Sequence, residues 1–244
     1  VVCGIVDMGF DFNHANFLDS EGRNRVKYYE NVTLNNYATS DDDLFKITYH
    51  NTPEPLAALT TDDKTMYHGT HTLGIMAGGY RGATQAALLA GGDGHSASVQ
   101  NSIDNPYYGV ATEADIVAAT CTSFSDLEIV QAVDDLIGYS QFVQKPIVVN
   151  LSLGNVIGPH DGHDTWTQAL GRLGENAIIC VAAGNDGNLP LAATKTLGSG
   201  DNAIMRTSPV AIKADESGPD LGHVNGMADI RSSSSSPPRF TLRL

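Results

Sequence analysis

Four short apolar runs constrain this chain more than any other feature: VVCGIV (1–6), DIVAAT (115–120), PIVVNLSL (146–153) and AIICVAA (177–183). Each is rich in Val, Ile or Ala and is bounded by Gly, Pro or polar residues. Runs of that length without polar alternation fit strands covered on both faces, as in a parallel sheet. Between the second and third lies SDLEIVQAVDDLIGYSQFV, with apolar residues at 129, 130, 133, 136 and 137, which is helical spacing. Ser125 and Glu128 have the S-x-x-E form of a capping box and mark the helix start. Asp164 to Asn176 (DTWTQALGRLGEN) reads as the next crossover. The alternation predicts an α/β chain of right-handed βαβ units, doubly wound into three layers around a mostly parallel sheet.

At 244 residues and 41% hydrophobic, the chain can bury a sizeable core, and one large domain is the simplest division. A formal charge of −14 argues against nucleic-acid partners, whose binders need clustered Lys and Arg. No run of 18 or more apolar residues is present, so no membrane span is expected. The chain opens on VVCGIVD, without a start Met or a signal-type basic region, and reads as a mature or excised segment. Cys3, Cys121 and Cys180 each fall inside or at the end of an apolar run. They read as small buried hydrophobes rather than as a disulfide or zinc framework.

Residues 20–67 are polar and rich in Asp and Asn, and residues 80–108 contain Gly91-Gly92-Asp93-Gly94 amid Ser, Asn and Gln. Both read as insertions that form surface loops. The triple Asp41-Asp42-Asp43 fits a solvated acidic face better than a calcium loop, because EF-hand spacing is missing; structural calcium stays open. The closing SSSSSPPRFTLRL begins as a low-complexity linker. These features divide the chain into a main domain over 1–213 and an irregular tail over 214–244.

In open parallel sheets, ligand sites lie beyond the carboxyl ends of the strands. The first run ends at Asp7, where a carboxylate meets a Gly-containing turn, and a turn-capping role is an equal alternative. The last run ends in Ala182-Ala183-Gly184-Asn185, whose Asn and Gly are also ordinary turn formers. His68 and His71, in YHGTHTLGIMAGG, sit three apart at the head of a helix and could share a face for a metal. A zinc hydrolase usually adds a Glu base within that motif, and Gly69 follows His68 instead. The other reading divides the labour: His68 faces solvent as a general base, and His71 packs in the core. Gly69 and Gly74 then allow the helix to lie close against another backbone.

Asp-x-Gly after the first strand, HGTH-x-x-G-I-x-A, GVATEADIVAA, VVNLSLG and VAAGNDG occur in an order that resembles the subtilisin-like serine proteases. The likeness covers about residues 1–14, 66–79 and 109–188. It implies that Asp7 is the triad aspartate, His68 the triad histidine and Asn185 the side-chain donor to the oxyanion. It also implies that Ser152, Leu153 and Gly154 pair with an extended polypeptide substrate, and that Ala182, Ala183 and Gly184 line the primary specificity pocket. Catalysis of that kind requires no cofactor, and the family likeness implies a secreted or cell-surface protein.

Three departures accompany the resemblance. Met8 stands where the family usually has Ser or Thr, which leaves Asp7 to backbone donors. Asp7 and His68 are 68 − 7 = 61 positions apart, which implies a long insertion. No G-T-S-M-A-like nucleophile motif occurs between Asn185 and Leu244. Ser208, in RTSPVA, is the nearest match, but Arg206 replaces the leading Gly, and TSPVAIKA reads better as a strand. Ser199 and the run Ser232 to Ser236 fit less well, because flexible Ser-rich segments cannot hold a hydroxyl in fixed geometry. The expectation is a serine endopeptidase domain whose nucleophile is missing from this piece, leaving it inactive. The alternatives are a non-catalytic peptide-binding module and a metal-dependent hydrolase using His68 and His71.

Overall fold

The structure, a computed structural model, describes residues 1–12, 14–19, 23–38, 40, 44–50, 67–79, 108–154 and 162–185. The segments 80–107 and 186–244, the triple Asp 41–43, Ser199, Ser208 and Ser232 to Ser236 lie outside the described residues.

Among the described residues six strands form one sheet: β1 (Val2–Val6), β2 (Val26–Leu34), β3 (Phe45–His50), β4 (Asp115–Cys121), β5 (Ile147–Leu151) and β6 (Ile178–Val181). Their order is β3-β2-β4-β1-β5-β6, and every pairing is parallel except β2 with β3. Among the described residues the α-helices are α1 (His68–Ala77), α2 (Asp126–Phe142) and α3 (Thr165–Leu173). The α/β architecture is the one the alternating runs predict.

Period-two alternation sorts the strand residues onto two faces. Val2 and Val6 of β1, with Val117, Ala119 and Cys121 of β4, join Ile129, Val133, Leu136 and Ile137 of α2 in one core. Cys3 and Ile5, with Ile116 and Ala118, face the other way onto Leu73 and Ala77 of α1 and onto Phe10, Phe12, Phe17 and Tyr29. Asp7 continues the 3, 5 series, so the alternation points its carboxylate to the α1 face. Its amide extends the ladder by donating to the Ala119 carbonyl at 3.0 Å.

The start of α2 forms as its sequence dictates. Ser125 Oγ accepts from the Glu128 amide, and the Glu128 carboxylate accepts from the Ser125 and Ser123 amides, the Ser123 hydroxyl and, across to β2, the Leu34 amide. Burial alone would raise this carboxyl, but the four hydrogen bonds together hold it below its ordinary range.

Three expectations are corrected. Residues 20–67 are not one surface loop, because β2 lies between β3 and β4 and buries Val26, Tyr28, Tyr29, Glu30 and Val32. Averaging a polar composition over the whole stretch hid β2 and β3 within it. AIICVAA forms a strand, but β6 is the edge of the described sheet, with Ile178 64% and Val181 54% exposed. Cys180 is likewise exposed, whereas Cys3 and Cys121 are buried, and all three are free thiols. Composition marks a run as a strand, but only neighbours bury it.

Candidate functional site

No Ser, Thr, Asp or Asn occupies the N-cap of α1. Its N-cap, Tyr67, is left-handed (φ 49°) and makes no side-chain cap. The turn after β1 caps the helix instead: the Gly69 amide donates to the Met8 carbonyl at 2.6 Å and the Thr70 amide to the Gly9 carbonyl at 3.1 Å. Thr70 Oγ1 adds two links, accepting from the Asp11 amide at 2.7 Å and donating to the Gly9 carbonyl at 2.9 Å. At the far end of α1, the buried guanidinium of Arg25 donates to the Ala77 carbonyl at 2.7 Å and the Ala114 carbonyl at 2.8 Å. A cation there complements the helix dipole. Residues 7–11 and α1 are therefore fastened together at several points.

Close approach makes Gly69 irreplaceable. A Cβ added there would lie 2.7 Å from a Phe10 ring carbon and 2.8 Å from the Met8 carbonyl oxygen. Alanine normally favours a helix by about 1 kcal/mol over glycine. Here the clash with a fixed backbone outweighs that gain, so Gly69→Ala should destabilise the chain by about 1–3 kcal/mol, read as a lower denaturant midpoint. Gly74 has no such contact: its added Cβ would stand 3.9 Å from the nearest neighbour, Asn16 Nδ2. The expected close backbone approach at Gly74 belongs to Gly109, whose added Cβ would fall 2.6 Å from the Gly74 carbonyl oxygen.

This docking brings His68 Nδ1 to 2.7 Å from Asp7 Oδ1. Asp7 is fully buried, and the His68 side chain is 45% exposed. A carboxylate only accepts, so the proton of this bond sits on Nδ1 and leaves Nε2 of the neutral ring free to accept another. Asp7 Oδ1 also accepts from the Met8 amide at 2.7 Å, and Asp7 Oδ2 accepts from the Thr72 hydroxyl at 3.0 Å. Met8 removes its own side chain as a donor, yet Asp7 does not depend on backbone donors alone, because Thr72 supplies the hydroxyl. The sequence reading missed Thr72, although its i+4 spacing from His68 puts both on one helix face.

His71 is exposed on α1, which corrects its reading as a core histidine. Its position at i+3 turns it away from the packed sheet face that Leu73 and Ala77 occupy. Among the described residues, no group of three or more His, Cys, Asp or Glu side chains could hold a metal ion.

The other sequence-singled residues line the same carboxyl edge. The ladders pair Ile5 with Asn150 and Asn150 with Cys180, so Asp7, Ser152 and Ala182 each stand two residues beyond one shared rung. The Ala182 amide donates to the Leu151 carbonyl at 3.0 Å. Gly154 and Gly184 are neighbours, since a Cβ built on Gly154 would make van der Waals contact with the Gly184 Cα at 3.4 Å. Ser152 Oγ accepts from Asn150 Nδ2 at 2.9 Å, Leu153 is half-buried, and Ala182, Ala183 and Asn185 are exposed. Segment 152–154 thus continues the strand beside β1, and 182–185 continues β6 on its far side.

The chain matches the family model for Peptidase_S8, the subtilase family, over residues 1–219. Among solved structures it is similar to the CspB protease of Clostridium perfringens, with 25% identity and a TM-score of 0.57 over 77% of this chain and 36% of that one. It is also similar to a structure titled S41 psychrophilic protease, at 19% identity and a TM-score of 0.45, over 76% of this chain and 46% of that one. A search of curated proteins found no match. The chain spans about a third of the length of the CspB protease.

Proposed function

Because the chain belongs to the subtilase family, we propose that it forms the Asp-His half and the substrate groove of a serine endopeptidase. The observation that carries this reading is the 2.7 Å contact between His68 Nδ1 and the buried Asp7 carboxylate at the carboxyl edge of β1. A serine hydroxyl is a weak nucleophile at neutral pH, so an imidazole must take its proton during attack and return it to the leaving amine. His68 Nε2 is the acceptor for that proton, and Asp7 stabilises the imidazolium that results. Asn185 offers an amide to the developing oxyanion. Ser152 to Gly154 receives the polypeptide as an added strand through backbone hydrogen bonds, and Ala182 to Gly184 borders its side-chain pocket. The chemistry requires no cofactor.

The nucleophile of this reading lies in sequence C-terminal to Leu244, and the 244-residue chain is inert by itself. A fluorophosphonate probe, which labels activated serines, tests both points. The expected result is no labelling of this chain and stoichiometric labelling of a longer protein carrying the downstream serine. Labelling of this chain at Ser208 would instead place the nucleophile within it. The family's secretion and the polypeptide class of substrate enter on the same footing, as parts of this proposal. Among the described residues, no helix is long and apolar enough to cross a membrane.

A further inference from the structure

Among the described residues Asp7 is held by three donors, and they divide unevenly between its oxygens. Oδ1 takes two hydrogen bonds, from the Met8 amide and His68 Nδ1, while among the described residues Oδ2 takes one, from Thr72 Oγ1. A carboxylate turns readily about its Cβ–Cγ bond, because a terminal sp³–sp² torsion has broad, roughly two-fold wells. Two donors on one oxygen fix a point, and a third on the other oxygen fixes the plane. The Thr72 hydroxyl has one proton and three acceptors within reach: Asp7 Oδ2 at 3.0 Å, the His68 carbonyl at 3.1 Å and the Gly69 carbonyl at 3.3 Å. The ionised acceptor gives the stronger bond and is also the nearest.

We propose that Thr72 is a positioning residue, whose hydroxyl locks the Asp7 carboxylate plane so that Oδ1 stays on His68 Nδ1. Thr72 stands one turn behind His68 on α1, so a single rigid element carries both the imidazole and the group that orients its partner. Any small shift of α1 moves the ring and the lock together, which preserves their relation to Asp7.

The activity arm of the test rests on the peptidase reading, and the spectroscopic arm does not. Thr72→Val keeps the shape and removes the donor; Thr72→Ser keeps the donor. In the 244-residue chain, proton NMR should show a far-downfield His68 Nδ1–H resonance that persists in Thr72→Ser and is broadened or lost in Thr72→Val. In the longer protein carrying the serine, kcat should fall about 10- to 100-fold for Thr72→Val with KM little changed, the scale expected when a reacting group is misplaced. Thr72→Ser should restore most of it. An unchanged resonance in Thr72→Val overturns the proposal, as does a wild-type chain with no such resonance. A changed resonance in a longer protein that hydrolyses no peptide supports the positioning role while the peptidase reading fails.

Discussion

Asp7→Asn should lower kcat for peptide hydrolysis by the longer, serine-bearing protein by about 10³–10⁴, with little change in KM or in denaturant midpoint. The geometry makes this substitution a clean one. An asparagine can keep its carbonyl oxygen on the Met8 amide and His68 Nδ1, the two donors that meet Oδ1. It can then offer its amide to Thr72 Oγ1, which accepts as readily as it donates. The fold survives, the negative charge goes, and the neutral amide no longer compels the ring to keep its proton on Nδ1. Two unit charges about 4 Å apart interact by roughly 4 kcal/mol at an effective dielectric of about 20, a factor near 10³ in rate. The loss of about 10⁴ seen when a triad aspartate is made neutral is of the same order. Activity within tenfold of wild type would remove Asp7 from the mechanism.

Glu30→Gln should stabilise the chain, and by more as the pH rises from 5 to 8. Glu30 is fully buried between Tyr28 and Val32 on β2, facing α2. Burial pushes its carboxyl up to about 8, the Tyr28 hydroxyl bonded to Oε2 opposes the rise, and the Asp135 charge adds to it. Among the described residues, Oε1 has no hydrogen-bond partner, nor does Asp135 Oδ2 on α2. Cys121 and Glu128 share the same electrostatic neighbourhood, and neither offers a positive charge.

The folded carboxyl therefore keeps its proton over a window, from the ordinary 4.5 up to about 8, in which the unfolded chain has lost it. Stability falls by about 1.4 kcal/mol per pH unit across that window and levels off above it. Between pH 5 and 8 the wild type should lose as much as about 4 kcal/mol relative to the glutamine variant. Glu128 acts in the opposite sense, since its lowered carboxyl costs stability only when acid protonates it. Urea unfolding of both proteins across pH 5 to 8 isolates Glu30, and parallel pH profiles would show that its carboxyl is ionised in the fold.

The sequence carried four of the strands through short apolar runs and the longest of the described helices through its 3.6-residue spacing, and both are local properties. VVCGIV, DIVAAT and PIVVNLSL needed no partner to be recognised, and Ser125 with Glu128 announced α2 by capping chemistry alone. Asp7 and His68 were legible because their residue types stand at element ends, where parallel sheets leave ligand sites. What the tertiary structure decided was everything that requires a neighbour. It made β2 a sheet strand within a polar stretch and left β6 an exposed edge. It capped α1 with the Met8 and Gly9 carbonyls in place of a side chain, and it supplied Asp7 with a hydroxyl from Thr72, 65 positions away. Local propensity is written residue by residue along the chain. Burial, capping across segments and the donors around a carboxylate depend on which distant residues meet, and only the folded chain determines that.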